Sequence, residues 1–212
     1  IPTGLLILVA DDNRINQMVI KEMLLQTKAQ VHLASNGIEA VNLVTENDYD
    51  LVFMDIQMPI LGGFDATRQI RNLEKSSDLP IIALTADVMP GVKETCIDAG
   101  INDYLSKPID SITLYQSLLR WLPEAPEMPE CTEINHHLIN QSDNIPCMLD
   151  TSAAIKKMGG NQTLYTDILR SFVCDYADST ENLRELINQN DNDEAHRLVH
   201  TIKGLAGTLG SN

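Results

Sequence analysis

The strongest constraint on this chain is a hydrophobic period that switches back and forth along its first 122 residues. Short apolar runs at Leu5–Ala10, Val31–Ala34, Leu51–Met54, Ile81–Thr85 and Asp103–Leu105 alternate with stretches of helical period. Those stretches lie at about Asn13–Thr27, Gly37–Glu46, Phe64–Glu74, Met89–Ala99 and Ser111–Trp121. Strands this apolar on both sides need cover on both faces, which helices crossing between parallel strands supply. The pattern predicts a doubly wound α/β domain around a five-stranded parallel sheet, spanning residues 1–122.

The pattern stops at Pro123. Residues 123–150 hold Pro123, Pro126, Pro129 and Pro146, carry Glu124, Glu127, Glu130, Glu133, Asp143 and Asp150, and contain no Lys or Arg. A Pro-rich stretch of one charge sign repels itself and buries no core, so it reads as an extended linker. A single long surface loop fits this length less well. From residue 151 to 212 no strand pattern returns. A short helix is expected near Ser152–Met158, closed by Gly159-Gly160. Leu164, Ile168, Leu169, Phe172, Val173, Tyr176, Leu183, Leu186 and Ile187 then fall at helical spacing and predict one long amphipathic helix. A further helix is expected from about Asp193 to the end, making this a small all-α module.

Composition narrows the function classes. Thirty acidic against fifteen basic residues leave a formal charge of −15, which repels nucleic-acid phosphates and anionic lipid, so neither is expected as a direct partner. The longest apolar run, Gly4 to Ala10, is too short for a bilayer span, and Asp11-Asp12 behind it do not suit a signal peptide. Cys96, Cys131, Cys147 and Cys174 are scattered without a CxxC pair, which fits a reducing, cytoplasmic setting. Starting at Ile1 rather than Met, the sequence reads as a piece of a longer chain, whose membrane attachment it leaves open.

In an open parallel sheet, function sits beyond the carboxyl ends of the strands. Asp11-Asp12 end the first strand, Asp55 ends the third, Thr85 the fourth, and Lys107-Pro108 follow the fifth. Three converging carboxylates repel unless a cation lies among them, and an all-oxygen, partly hydrated site suits Mg²⁺. A hydroxyl and an ammonium beside them are the groups that surround a transferring phosphoryl. A lone Asp at a strand end is usually a helix cap, and Asp12 or Asn13 would serve as one here. The acids after strands one and three, joined by Thr and Lys after strands four and five, are a rarer combination. A dinucleotide site is excluded because the first strand-to-helix turn is Asp-Asp-Asn rather than Gly-rich. A phosphatase of Asp-x-Asp type is disfavoured by Gln57 two residues past Asp55.

The runs Val9-Ala10-Asp11-Asp12-Asn13, Met54-Asp55-Ile56-Gln57-Met58-Pro59 with Gly62-Gly63, Leu84-Thr85-Ala86 and Tyr104-Leu105-Ser106-Lys107-Pro108 resemble the receiver domain of two-component response regulators, over about residues 4–122. The resemblance implies a flavodoxin-like fold with strand order 2-1-3-4-5, the order given for receivers of this topology. It further implies that Asp55 is the phosphoacceptor, that Asp12 ligates Mg²⁺ directly and Asp11 mainly through water, and that the Gln57 carbonyl supplies another oxygen. Lys107, followed by a cis Pro108, would neutralise the phosphoryl. Thr85 would move to bond it, Tyr104 would swing inward, and the small Ala86 would leave the phosphoryl open to a donor or to water.

In the last helix, Ala195, Leu198, Val199, Ile202, Leu205, Ala206 and Leu209 gather into one stripe at roughly 100° per residue. His200 falls nearly opposite, with Gly204 and Gly207 beside it, so a solvent-facing imidazole on a flat surface is expected. Two helix-interior glycines, each costing about 1 kcal/mol against alanine, ask for a reason. A neutral imidazole is a competent nucleophile near neutrality, and Lys203, one turn on, is placed to steady an anionic product. An isolated exposed His is more often plain surface, while His196 and His200 as a zinc pair lack a third ligand. His136-His137 lie in the linker and are expected to do nothing.

The segment Ala195-His196-Arg197-Leu198-Val199-His200-Thr201-Ile202-Lys203-Gly204 resembles a histidine phosphotransfer (HPt) domain, as does Met158-Gly159-Gly160 leading to Leu164-Tyr165 and Phe172. That resemblance implies phosphate on His200 with Lys203 assisting, in a four-helix bundle whose last two helices this sequence does not contain. Residues 151–212 would then be unstable alone, swap into a dimer, or be completed by further chain. Receiver, linker and phosphotransfer module together resemble the carboxyl end of a hybrid sensor histidine kinase. The expected activity is a phosphorelay: from an upstream kinase phosphohistidine to Asp55, then His200, then the receiver of a separate response regulator. No ATP-binding kinase module is seen in the sequence. The competing expectation is a phosphorylation-controlled interaction switch whose helices only dock or dimerise. Hydrolysis of an external phosphoester by a metal site is a third.

Overall fold

The computed structural model describes residues 4–85, 92–122 and 149–211. They divide into two compact units, one within Ile1–Pro129 and one within Glu130–Asn212. Ala86, residues 89–91 of the fourth expected helix, Cys131, His136, His137, Cys147 and nearly all of the expected linker lie outside the described residues.

The first unit runs β1 (Leu6–Ala10), α1 (Arg14–Leu25), β2 (Gln30–Ala34), α2 (Gly37–Glu46), β3 (Leu51–Asp55), α3 (Gly63–Arg71), β4 (Ile81–Thr85), α4 (Val92–Ala99), β5 (Asp103–Ser106) and α5 (Ser111–Trp121). All strand pairs are parallel, in the order β2-β1-β3-β4-β5. Every residue of β3 and β4 is buried, as their unbroken apolar sequences require.

Polar side chains fix where the helices start. Asn13 accepts from the Ile15 and Asn16 amides to open α1. At α2, Asn36 accepts from the Glu39 amide while Glu39 reaches back to the Ser35 amide, a reciprocal cap. Asp110 caps α5 through the Thr113 amide.

Helix α3 ends at Arg71, three residues before its expected end, and a single 3₁₀ turn follows at Glu74–Ser76. The cause is a tertiary clamp. The Arg71 guanidinium donates to the carbonyls of Ser76 and Gly100 and to the Asn102 side chain, holding the turn in place.

The second unit contains α6 (Thr151–Lys157), α7 (Gln162–Tyr176), α8 (Ser179–Asn188) and α9 (Asn192–Thr208). Gly159 and Gly160, both at positive φ, close α6 as expected. The long helix expected through Leu164–Ile187 is instead two, broken at Ala177-Asp178. There the Asp178 carbonyl accepts from both Glu181 and Asn182 and starts a new helix, in a run of Asp-Ser-Thr whose side chains favour caps over helix interiors. The ends of the unit are tied together: Leu149 bridges Ser211, the Asp150 amide donates to the Gly210 carbonyl at 2.8 Å, and the Tyr165 hydroxyl reaches the Leu209 carbonyl. Ala154, Met158, Leu164, Tyr165, Ile168, Ala195, Leu205 and Leu209 form its core, while α8 buries no side chain.

Candidate functional site

Strand register assembles the acidic edge. Ala10 pairs with Met54, so Asp11 emerges beside Asp55, and Asp55 in turn pairs with Leu84, one residue before Thr85. Thr85 pairs with Ser106, which sets Lys107 next in line. Its amide donates to the Thr85 carbonyl at 2.6 Å, and the Lys107–Pro108 peptide is cis, as the receiver resemblance implied. The turn that brings Asp55 to this edge needs Gly63, because a Cβ there would collide with the Asp55 carbonyl oxygen.

Asp11 and Asp55 are buried and Asp12 is exposed, and each offers a carboxylate oxygen within 4.8 Å of the others. An all-oxygen set with one solvent-facing member fits a hard divalent cation that keeps part of its water. The Lys107 ammonium bridges the two buried acids, 2.8 Å from Asp11 Oδ2 and 2.6 Å from Asp55 Oδ2. Asp55 Oδ1 accepts from the amide of Gln57, whose side chain is exposed.

Burial, reinforced by the neighbouring Asp11 charge, pushes the Asp55 carboxyl up to about 7 against the downward pull of Lys107. Burial alone would depress Lys107, but the two carboxylates outweigh it and raise the lysine above its ordinary range. The site therefore holds more negative charge than its one ammonium balances, which is what attracts a cation. Thr85 is buried at the rim, and Tyr104 is partly buried against the core beneath. Sequence reasoning passed over two amides on the first turn of α1. Asn16 Nδ2 donates to Asp11 Oδ1 at 3.1 Å, and Gln17 Nε2 donates to the Asp11 carbonyl at 2.7 Å and the Ala34 carbonyl at 3.0 Å. Their positions, five and six residues past Asp11, were the available signal.

On α9, His196 and Lys203 are exposed, but His200 is half-buried rather than fully solvent-facing. Its ring stacks on His196, with centroids 6.5 Å apart. A Cβ on Gly204 would meet nothing within 4 Å, so the surface one turn beyond His200 is open. The helix is rotated from the expected stripe: Leu205 and Thr208 are buried while Val199 stands 48% exposed. An average over all apolar residues misplaces the packed face when only part of the stripe finds a partner.

Two family models match. The response regulator receiver domain covers residues 7–119, and the Hpt domain covers residues 167–212. The chain belongs to the response regulator receiver family, with an Hpt segment following the receiver. It is 33% identical over 204 residues to the sensor protein GacS of Pseudomonas syringae pv. syringae, and 31% identical over 208 residues to the signal transduction histidine-protein kinase BarA of Escherichia coli K12. Those alignments cover 95% and 96% of this chain but 22% of each relative. Among solved structures, the receiver domain of sensor histidine kinase PA1611 from Pseudomonas aeruginosa PAO1, with magnesium in its active-site cleft, is 44% identical (TM-score 0.53, 56% of this chain, 97% of that one). A receiver solved with the histidine phosphotransfer protein Ypd1, that of Ssk1 from Saccharomyces cerevisiae, is 36% identical (TM-score 0.53, 56% and 89%). Receiver and Hpt segments in this order place the chain in phosphorelay signal transduction. Among the described residues no helix is long and apolar enough to cross a membrane.

Proposed function

We propose that this chain carries two successive phosphoacceptors: Asp55 in a receiver domain (residues 1–122) and His200 in a phosphotransfer module (151–212), joined by a linker (123–150). The supporting observation is the trio Asp11, Asp12 and Asp55 with Lys107 bridging its two buried members. Asp12 and Asp55 would hold Mg²⁺ together with the Gln57 carbonyl, and Asp11 would do so through water. Bound there, Mg²⁺ would mask carboxylate charge so that an anionic phosphoryl can approach.

Asp55 attacks the phosphorus of an upstream phosphohistidine, the P–N bond breaks, and the imidazole leaves as the neutral ring after taking a proton. Lys107 stays against the new phosphoryl oxygens, and Thr85 donates its hydroxyl to another. Tyr104 follows Thr85 inward, so the charge change is read on the outer face of the sheet. His200 next attacks the phosphoaspartate, regenerating the carboxylate, and Lys203 accompanies the phosphoryl on the ring. The partners are a histidine kinase module upstream and a response-regulator receiver downstream. The setting is cytoplasmic, in keeping with scattered cysteines that form no CxxC pair. The exposed Val173, Ile187 and Val199 favour self-association of the helical unit as a second property.

The test is intact-mass measurement after incubation with Mg²⁺ and acetyl phosphate, with Asp55→Asn and His200→Ala run in parallel. One phosphoryl gained by the wild type and lost in Asp55→Asn supports the acceptor. Acid-labile phosphate lost in His200→Ala supports the relay. Gain at Asp55 with no transfer to His200 would leave only a switch, and a folded, Mg²⁺-bound protein that gains nothing would overturn the assignment.

A further inference from the structure

Asp11 is the only member of the acidic trio with no exposed surface, and its carboxylate is held from several sides. Oδ1 accepts from the Asn13 amide at 2.9 Å and from Asn16 Nδ2 at 3.1 Å. Oδ2 accepts from Lys107 at 2.8 Å, and Asn16 Nδ2 lies 3.3 Å from it as well. The Asn13 amide and Lys107 each fix one oxygen, and Asn16 is the side chain that spans both. Asn16 is itself placed by helix α1, since its amide donates to the capping Asn13 side chain at 3.2 Å. One residue further on, Gln17 ties the Asp11 carbonyl to the end of β2.

We infer that Asn16 is a positioning residue for the phosphoacceptor site: its side-chain amide sets the rotation of the Asp11 carboxylate, and through it the placement of Lys107 between Asp11 and Asp55. This rests on the reading of Asp11, Asp12 and Asp55 as a divalent-cation site. The physical role is preorganisation. A carboxylate free to rotate would swing Lys107 away from Asp55 or collapse onto the cation position. A neutral amide donor fixes the carboxylate without adding charge to a site that must stay negative. Donors behind metal-associated carboxylates typically change metal affinity 10- to 100-fold when removed.

Asn16→Ala separates this role from a structural one. Calorimetric titration of the full chain with MgCl₂ should show affinity reduced about tenfold, the low end of that range. Acetyl phosphate uptake at saturating Mg²⁺ should also be slower. Without metal, the Asn13 amide proton, bonded to Asp11 Oδ1, should shift and exchange faster, while the amides of α3 and α5 stay in place. Asn16→Ser, which keeps a shorter donor, should recover part of the affinity. A lower melting temperature with unchanged Mg²⁺ affinity and an unmoved Asn13 amide would overturn the inference and leave Asn16 a helix residue. Wild-type protein that binds no Mg²⁺ would instead overturn the cation-site reading, and the metal-free Asn13 measurement would still decide on Asn16.

Discussion

The two buried carboxylates share the Lys107 ammonium, with the exposed Asp12 close by, and burial together with the Asp11 charge disfavours the ionised form of Asp55. Its carboxyl rises from the ordinary 3.8 to about 7, so between those values the folded state holds a proton that the unfolded chain has lost. By linkage, stability contributed by Asp55 is fully present below the lower value and is lost as pH rises through the upper one. Asp55→Asn should therefore raise the metal-free melting temperature at pH 8 and make little difference near pH 4. At about 1.4 kcal/mol per unit, the three-unit shift bounds the gain at roughly 4 kcal/mol. Lys107→Met should act in the opposite sense, destabilising by about 3–5 kcal/mol at pH 8, because it strands buried charge. Urea denaturation in EDTA at the two pH values checks both. Equal stability of Asp55→Asn and wild type at pH 8 would place the surplus charge elsewhere. In the proposed site Mg²⁺ would supply the missing positive charge, so adding it should stabilise the wild type more than Asp55→Asn.

The elements show what was legible and what was not. The strands could be read because β1, β3 and β4 are buried on both faces, leaving unbroken apolar runs. Asp11, Asp55, Thr85 and Lys107 could be placed together because each stands at or just past the end of a strand, where sheet topology alone fixes its neighbours. Helix ends were less legible. Arg71 stops α3 by reaching Gly100 and Asn102, about thirty residues further along the chain, which no local pattern records. The break at Asp178 and the turned face of α9 were missed for a related reason: apolar spacing says that a face is buried, not which neighbour covers it. Gly63 was read as part of a motif, and its necessity is visible only in space. Gly63→Ala would drive a methyl into the backbone oxygen of Asp55, so it should cost more than about 2 kcal/mol and slow phosphoryl uptake together. Within α5, the buried Ser117 hydroxyl has no hydrogen-bond partner, and its removal is free of that consequence. Ser117→Ala should stabilise the receiver by about 1 kcal/mol through relieved burial and better helix propensity, seen as a higher urea midpoint at unchanged slope.

At the scale of the whole molecule, the two units are built to different depths. The first packs a five-stranded sheet between helices, with Phe53, Ile7, Leu8 and Ile82 among its fully buried side chains. The second rests on a few residues of α6, α7 and α9, with α8 burying nothing and Val173, Ile187 and Val199 more than 45% exposed. A unit that removes so little apolar surface from water gains little against chain entropy. Urea should therefore unfold the chain in two steps, the helical unit first. Far-ultraviolet circular dichroism should follow both steps, because both units contain helices, while the lone Trp121, at the end of α5, reports the later one alone. The steps can be assigned by mutation. Leu205→Ala empties a position only 1% exposed and should move the first transition alone, by about 2–5 kcal/mol or to outright loss of that unit. Mg²⁺ should move the second alone, because the acidic trio lies wholly within the receiver unit. Val199→Glu discriminates the meaning of the exposed residues. If they are simply solvated, neither transition shifts with protein concentration in wild type or variant. If they hold copies of the helical unit together, the first transition rises with protein concentration in the wild type and loses that dependence in Val199→Glu. The concentration-dependent outcome is the one expected, because Val173 on α7, Ile187 on α8 and Val199 on α9 are each exposed, and exposed large apolar side chains are covered when a second copy is available.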